Sequence, residues 1–158
     1  MTTPTLRPPR RTDYPVLTRW IVDADLCIRW AGPRVPFPFA TTELENLLAV
    51  DGSSSYCLDD GGADPCGFGQ HWVLTPGGVH LGRLIVSPDV RGKGYGRQLC
   101  QQLMAQAVSA SNARFVTLRV YRDNLAAFTL YASLGFKPVE AESTDEVYFM
   151  QADSVNPR

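Results

Sequence analysis

The chain has 158 residues, which favours one domain over two and suffices to bury about two-thirds of the unfolded surface without a disulfide or metal staple. Its 44% hydrophobic and 20% charged residues exclude a disordered or fibrous protein, and a net charge of −1 excludes a polybasic nucleic-acid binder. That total hides a segregation: residues 1–34 carry +3, 35–66 carry −6, 67–137 carry +6 and 138–158 carry −4. Electrostatics acts locally, so these blocks are more informative than their sum.

The N-terminal stretch MTTPTLRPPRRTDY has basic residues with no apolar run behind them, and no run approaches the roughly 18 residues of a membrane span. No membrane association and a cytoplasmic location are therefore expected. Leu6 and Arg7 suit a short edge strand ended by Pro8 and Pro9. Thr12 offers an N-cap, Asp13 suits a first turn, and Val16, Leu17, Trp20 and Ile21 recur at helical spacing. Cys27 to Phe39 is aromatic, broken by Pro33, Pro36 and Pro38, and reads as an ordered loop. Thr41 or Thr42 opens a short helix through Leu44, Leu47 and Leu48 to about Gly52.

Three strands follow, near Ser53–Leu58, Cys66–Leu74 and Gly78–Val86, joined by turns too short for crossovers and hence an antiparallel meander. The clearest helix runs from Gly94 to about Ala110, with Leu99, Leu103 and Ala107 on one side. Phe115–Val120 is a strand. Asn124 begins a helix through Phe128, Tyr131 and Leu134, with Gly135 as left-handed cap and Pro138 as stop. Two strands near Val139–Ala141 and Val147–Gln151 close a domain expected over residues 1–152, with 153–158 as a flexible tail. Cys27, Cys57, Cys66 and Cys100 show no CxxC spacing, so neither a zinc site nor a redox pair is expected, and Cys100 suits core packing.

The informative stretch is Leu84 to Arg97, LIVSPDVRGKGYGR. An apolar strand ends at Ser87-Pro88, and Arg91-Gly92-Lys93-Gly94-Tyr95-Gly96 leads straight into a helix. Glycines there permit close backbone approach, and a helix N-terminus offers free amides and partial positive charge, which together suit a phosphate. The segment lacks the Lys-Ser/Thr ending of a P-loop and the GxGxxG spacing of a dinucleotide fold.

The spacing Arg-x-x-Gly-x-Gly after Val-x-Pro, followed by Asn124-x6-Tyr131-x3-Gly135-Phe136, resembles the GNAT superfamily of acyl-CoA-dependent N-acyltransferases over residues 66–137. The resemblance implies an α/β GNAT fold: a mixed, mostly antiparallel sheet of six or seven strands flanked by four helices. It implies that the backbone of Leu84, Ile85 and Val86 runs beside the pantetheine arm and the thioester carbonyl. The loop Arg91, Gly92, Lys93, Gly94, Tyr95 and Gly96, continuing to Arg97, would wrap the pyrophosphate. Asn124 matches a cofactor-contacting asparagine, and Tyr131 matches the tyrosine that protonates the departing thiolate.

For the base, members that acetylate ribosomal-protein N-termini have a glutamate five residues before the asparagine, where this chain has Arg119. Other members place glutamate or histidine four residues before the carbonyl-binding strand segment, which here is His80. An imidazole with a pKa near 6.5 accepts a proton at neutral pH directly or through water. Trp30, Phe37 and Phe39 are candidate walls of an acceptor pocket. The acidic residues Glu43, Glu45, Asp59, Asp60, Asp64, Glu140, Glu142 and Glu146 are candidates to attract a cationic amine. The expectation is an acetyl-CoA-dependent N-acetyltransferase acting on a small amine in a ternary complex, without a metal; a homodimer is left open. A non-catalytic acyl-CoA sensor and a protein- or peptide-modifying enzyme are the alternatives.

Overall fold

In the computed structural model, which describes residues 3–154, the chain runs β1 (Thr5–Arg7), α1 (Asp13–Trp20), α2 (Ala24–Ala31), α3 (Leu44–Leu47), β2 (Ser54–Asp59), β3 (Gly67–Thr75) and β4 (Gly78–Val86). It continues through α4 (Tyr95–Ser111), β5 (Phe115–Tyr121), α5 (Leu125–Ser133), β6 (Lys137–Pro138) and β7 (Val147–Asp153). The strands form one sheet in the order β1-β2-β3-β4-β5-β7-β6. Only β4 and β5 are parallel, and α4 is the crossover that such a pair requires.

The expected meander is therefore present, as is the mixed sheet, but the described residues hold five α-helices rather than four. The addition is α2, which occupies the start of the segment read as loop. Asp23 caps it by accepting the Leu26 amide at 2.8 Å, and Cys27, Trp30 and Ala31 form its buried side. The prolines that suggested a loop begin only at Pro33, after the helix has ended at Gly32. Thr12 stands at the N-cap of α1 but makes no side-chain cap bond; Asp13 instead accepts the Arg10 amide and two N–H groups of Arg7. β7 reaches Asp153, and the Ser154 amide donates to the Arg114 carbonyl, so hydrogen-bonded chain extends two residues beyond the boundary expected at 152. Residues 155–158, the rest of the expected tail, lie outside the described residues.

Strand alternation divides the core between the two faces of the sheet. On one face Leu17 and Trp20 of α1, Trp30 of α2 and Leu44 of α3 pack with Phe68 and Ile85. On the other, Leu103 and Ala107 of α4 meet Val79, Leu81, Val116 and Leu118. Each such leucine contributes about 2 kcal/mol by leaving water. α4 lies close because Gly69 has no side chain: a Cβ there would stand 2.8 Å from both Leu103 Cδ2 and Leu84 Cδ2.

The feature that creates a site is a parting of strands. β4 and β5 pair only from Gly78–Phe115 to His80–Thr117, although β4 continues to Val86 and β5 to Tyr121. Where β3 advances from Phe68 to Gln70, β4 passes from Ile85 to Gly82, so β4 carries one extra residue and Arg83 takes φ 55°. A bulge of this kind bends its strand, and the left-handed conformation costs a non-glycine residue roughly 1–2 kcal/mol.

Tertiary contacts hold the bulge. Trp30 Nε1 donates to the Arg83 carbonyl at 2.8 Å. The Arg83 guanidinium donates to Gln70 Oε1 at 3.0 Å and to the carbonyls of Leu48 and Ala31 at 3.2 and 3.4 Å. Ala31 ends α2, where the helix dipole favours a cation. Trp30→Phe keeps the ring and removes the bond to Arg83; urea unfolding should show a loss of about 1–2 kcal/mol, the usual result of orphaning a buried carbonyl.

Candidate active site

The parted strands enclose a cleft of about 840 Å³, walled by β4 from His80 to Val86, by Arg119–Tyr121 of β5, and by residues of α2 and α5. Of the residues the sequence singles out, His80, Leu84, Ile85, Val86, Arg91, Gly96, Asn124 and Tyr131 all line it. Gly92, Lys93, Gly94, Tyr95 and Arg97 do not line it and form the adjoining loop and first turn of α4. Within that turn Tyr95 is committed elsewhere, its hydroxyl donating to Asp60 at 3.2 Å, and Arg97 donates to Ser133 Oγ at 2.7 Å, tying α4 to α5.

The loop before α4 has the backbone of an anion cradle. Gly92 and Gly94 take φ 81° and 80°, and a Cβ at either would meet nothing within 4 Å, so the glycines serve conformation rather than packing. Among the described residues, the amides from Arg91 to Arg97 have no well-formed protein acceptor; the next, Gln98, donates to Gly94 at 3.1 Å. Exposed amides at the start of a 17-residue helix, flanked by Arg91, Lys93 and Arg97, suit a phosphate.

A second set of donors lies along β4. Ser87 directs its amide to the carbonyl of Cys66, the residue just before β3, at 2.9 Å. Alternation then turns the amides of Val86 and Leu84 toward the side from which β5 has departed. An extended ligand with amides of its own, entering the wedge, would complete the pairing that β5 abandons. Together the β4 edge and the α4 cradle fit coenzyme A, whose pantetheine arm is extended and whose other end is phosphorylated.

Asn124 caps α5, its Oδ1 accepting the Ala127 amide at 3.2 Å, which leaves its side-chain NH₂ free beside the cleft. Tyr131, seven residues on, packs edge-on against Phe136 with ring centroids 6.1 Å apart. Its hydroxyl has no hydrogen-bond partner among the described residues, and burial, reinforced by Cys100, raises its pKa. It is therefore a protonated donor held at the cleft wall. Cys100 itself is buried in the α4 core, as expected, and burial pushes its thiol up to about 12.

His80 sits where β4 and β5 part. It is 3% exposed, with Nδ1 2.8 Å from Thr117 Oγ1 and its ring between Trp72 and Phe149. Burial, with Arg119 adding repulsion, pulls its pKa down to about 3. The imidazole is consequently neutral across the physiological range, and the charge change expected near 6.5 does not occur there. His71, the other histidine, is on the α4 side, stacked on Tyr56 and hydrogen-bonded to Gln106, away from the cleft.

The acceptor side differs from expectation. Trp30 does line the cleft, but from a helix, while Phe37 and Phe39 pack on each other outside it. None of the acidic residues read as attractants for an amine borders the cleft: Asp59 pairs with Arg7, Asp64 with Arg19 and Glu140 with Arg122. The cleft gains Trp72 and Arg83, which no motif marks, and Arg119, noted in the sequence only as standing where other members have glutamate. Strand alternation alone would have put Arg119 on the face of Thr117 and Tyr121; that β4 opens opposite them is a tertiary fact.

A model of the acetyltransferase (GNAT) family matches residues 23–136, and the chain belongs to that family. Spermidine N-acetyltransferase from Vibrio cholerae, solved with CoA and spermine, superposes with a TM-score of 0.79 at 18% identity, covering 96% of this chain and 95% of that one. AAC(6')-Ib, solved with ribostamycin and coenzyme A, gives 0.75 at 20% identity over 96% and 93%. In sequence, the chain is 31% identical over 84 residues to the peptidyl-lysine N-acetyltransferase YjaB of Salmonella typhimurium, covering 53% of this chain and half of that protein. It is 37% identical over 59 residues to the uncharacterised N-acetyltransferase YobR of Bacillus subtilis, covering 37% of this chain and 24% of that protein. No helix among the described residues is long and apolar enough to cross a membrane.

The depressed His80 pKa links stability to pH. Between the unfolded value near 6.5 and the folded value of about 3, the unfolded chain binds a proton that the folded one does not. The stability held above pH 6.5 is therefore lost progressively as the pH falls toward 3, at up to about 1.4 kcal/mol per pH unit from this group. Replacing the ring by one that cannot titrate, in His80→Phe, should flatten the decline of melting temperature between pH 6.5 and 4.5 relative to wild type.

Proposed function

We propose that the protein is an acetyl-CoA-dependent N-acetyltransferase that transfers an acetyl group to the primary amine of a small molecule by direct attack in a ternary complex. The observation that carries this reading is the convergence on one wedge of unpaired β4 amides, the amide cradle of α4 and the unpartnered Tyr131 hydroxyl. The small-molecule acceptor is supported by structural neighbours solved with spermine and with ribostamycin.

Acetyl-CoA supplies an activated acyl group in thioester linkage. The roles of the chain's own residues follow from their placement. The Leu84 and Val86 amides hold the ligand's arm and polarise the carbonyl, where hydrogen-bond donors act on charge that develops during the reaction. Backbone amides from Gly92 to Gly96, with Arg91, Lys93 and Arg97 around them, hold the phosphates. Asn124 steadies the cofactor from the start of α5.

As the amine nitrogen forms its bond to the acetyl carbon, the carbon–sulfur bond breaks; nitrogen must lose one proton and sulfur must gain one. Tyr131 is the donor to sulfur, and its raised pKa keeps it protonated until that moment. In the tautomer whose Nδ1–H donates to Thr117 Oγ1, His80 has Nε2 left as an acceptor. A neutral imidazole of such low basicity does not store the proton but passes it to water in the open cleft.

Acetyl-CoA should raise the melting temperature of the wild type, and a panel of small amines should release thiol. Tyr131→Phe should lower kcat about 100-fold, the scale of a lost general acid, with the acetyl-CoA Kd within about twofold of wild type. Unchanged turnover in that variant would remove Tyr131 from catalysis. Binding without thiol release for any amine or lysine peptide would instead support a sensor, and release with peptides alone a protein-modifying enzyme.

A further inference from the structure

The ionised side chains that border the cleft are all of one sign. Arg29, Arg83, Arg91 and Arg119 line it and, among the described residues, no Asp or Glu does. Three of these cations are accounted for. Arg29 is forked onto Asp123 at 2.8 and 3.0 Å and also pairs with Asp25. The Arg83 guanidinium is spent on Gln70 and the carbonyls of Leu48 and Ala31. Arg91 stands at the loop that cradles phosphate.

Arg119 is the one left over. It is exposed, and no carboxylate among the described residues lies within 4 Å of it. Its guanidinium stacks 5.0 Å over the ring of Phe149, its cross-strand partner on β7. Stacking fixes the plane of a guanidinium while leaving its N–H edges free to grip a carboxylate with two bonds. Its neighbours Leu118 and Val120 face the α4 core, so Arg119 projects to the opposite face, with Thr117 and the His80 ring that Thr117 holds. That is the acceptor's side of the proposed reaction, and its walls there include Trp72, Tyr121 and Val147.

We infer that the acceptor is a small α-amino acid with an apolar side chain, its carboxylate received by Arg119 and its amine presented at the parting of β4 and β5. This rests on the acetyltransferase reading above and narrows it. A polyamine would enter a cleft of guanidinium groups that offers it no carboxylate, and juxtaposed like charges penalise binding. A carboxylate meets a field of the right sign and a preoriented fork.

The test compares matched pairs that differ only by the carboxylate: phenylalanine with phenethylamine and leucine with isoamylamine, alongside spermidine and a lysine peptide, with thiol release as the readout. The amino acids should show kcat/KM about tenfold or more above their decarboxylated partners, as one charge-assisted pair predicts. Arg119→Gln should collapse that ratio by raising KM for the amino acids, Arg119→Lys should restore part of it, and acetyl-CoA binding should be unmoved. A second measurement needs no turnover: calorimetry of the CoA-saturated wild type should find N-acetylphenylalanine bound more tightly than N-acetylphenethylamine, with the difference lost in Arg119→Gln. Equal or better use of decarboxylated amines, spermidine or the lysine peptide, equal binding of the two acetyl compounds by wild type, or a preference that survives Arg119→Gln would each overturn the inference. Those outcomes leave the acetyltransferase reading standing, whereas absence of any acetyl-CoA thermal shift would overturn that reading itself.

Discussion

β4 and β5 are hydrogen-bonded only as far as His80 and Thr117, and the bulge at Arg83 bends β4 so that the two strands do not meet again. A strand edge left open in a sheet interior exposes backbone donors and acceptors that must find partners, and in this protein that demand is what makes a binding site. Everything else is arranged around the gap. α4 begins beside one lip and contributes its amides, α5 brings Asn124 and Tyr131 along the same lip, and α2 closes the other face with Trp30.

The bulge is expensive in local terms, since an arginine occupies a conformation better suited to glycine. It persists because the same residue repays the strain through contacts that only the folded chain supplies. Its carbonyl receives the Trp30 indole, and its guanidinium gathers the carbonyls that end α2 and follow α3. A glycine would relax the backbone and lose the side chain that pins α2 and α3 to the sheet. Burial lowers the Arg83 pKa, with Arg34 adding to the effect, yet three neutral oxygens suffice to hold it as a structural cation.

The distribution of charge acquires a spatial meaning through the same gap. The positive stretch from 67 to 137 supplies Arg83, Arg91 and Arg119, which line the cleft. The negative stretches on either side supply partners for arginines outside the cleft, as in Arg7 with Asp59 and Arg122 with Glu140. The expectation of an acidic acceptor half fails because none of those carboxylates borders the cleft, and Asp59, Asp64 and Glu140 are held in ion pairs elsewhere. The cleft is left cationic at both ends, and His80, buried between aromatic rings near Arg119, is kept neutral.

Local features were legible in the sequence wherever short-range chemistry decides them. The glycines of the loop, the cap at Asn124, the helix through Leu99 and Leu103, and the meander follow from backbone freedom, side-chain periodicity and turn length, and these also sufficed to bring out the family resemblance. α2 was hidden because proline signals beginning two residues beyond its last buried side chain dominate a local reading. The place of Arg119 in the cleft was hidden for a deeper reason. Whether Arg119 faces a core, solvent or a cleft depends on where β4 leaves β5, which is set by one extra β4 residue between the partners of Phe68 and Gln70 and by an indole fifty-three positions from Arg83. The residue types and their spacing determined a glycine-rich loop leading into a helix and, through the family resemblance, singled out Tyr131 and His80 as candidates. Only the tertiary structure decided that the histidine is buried and neutral and that Arg119, with no carboxylate partner among the described residues, borders the cleft beside it, because desolvation and pairing are properties of neighbours that the chain brings together only on folding.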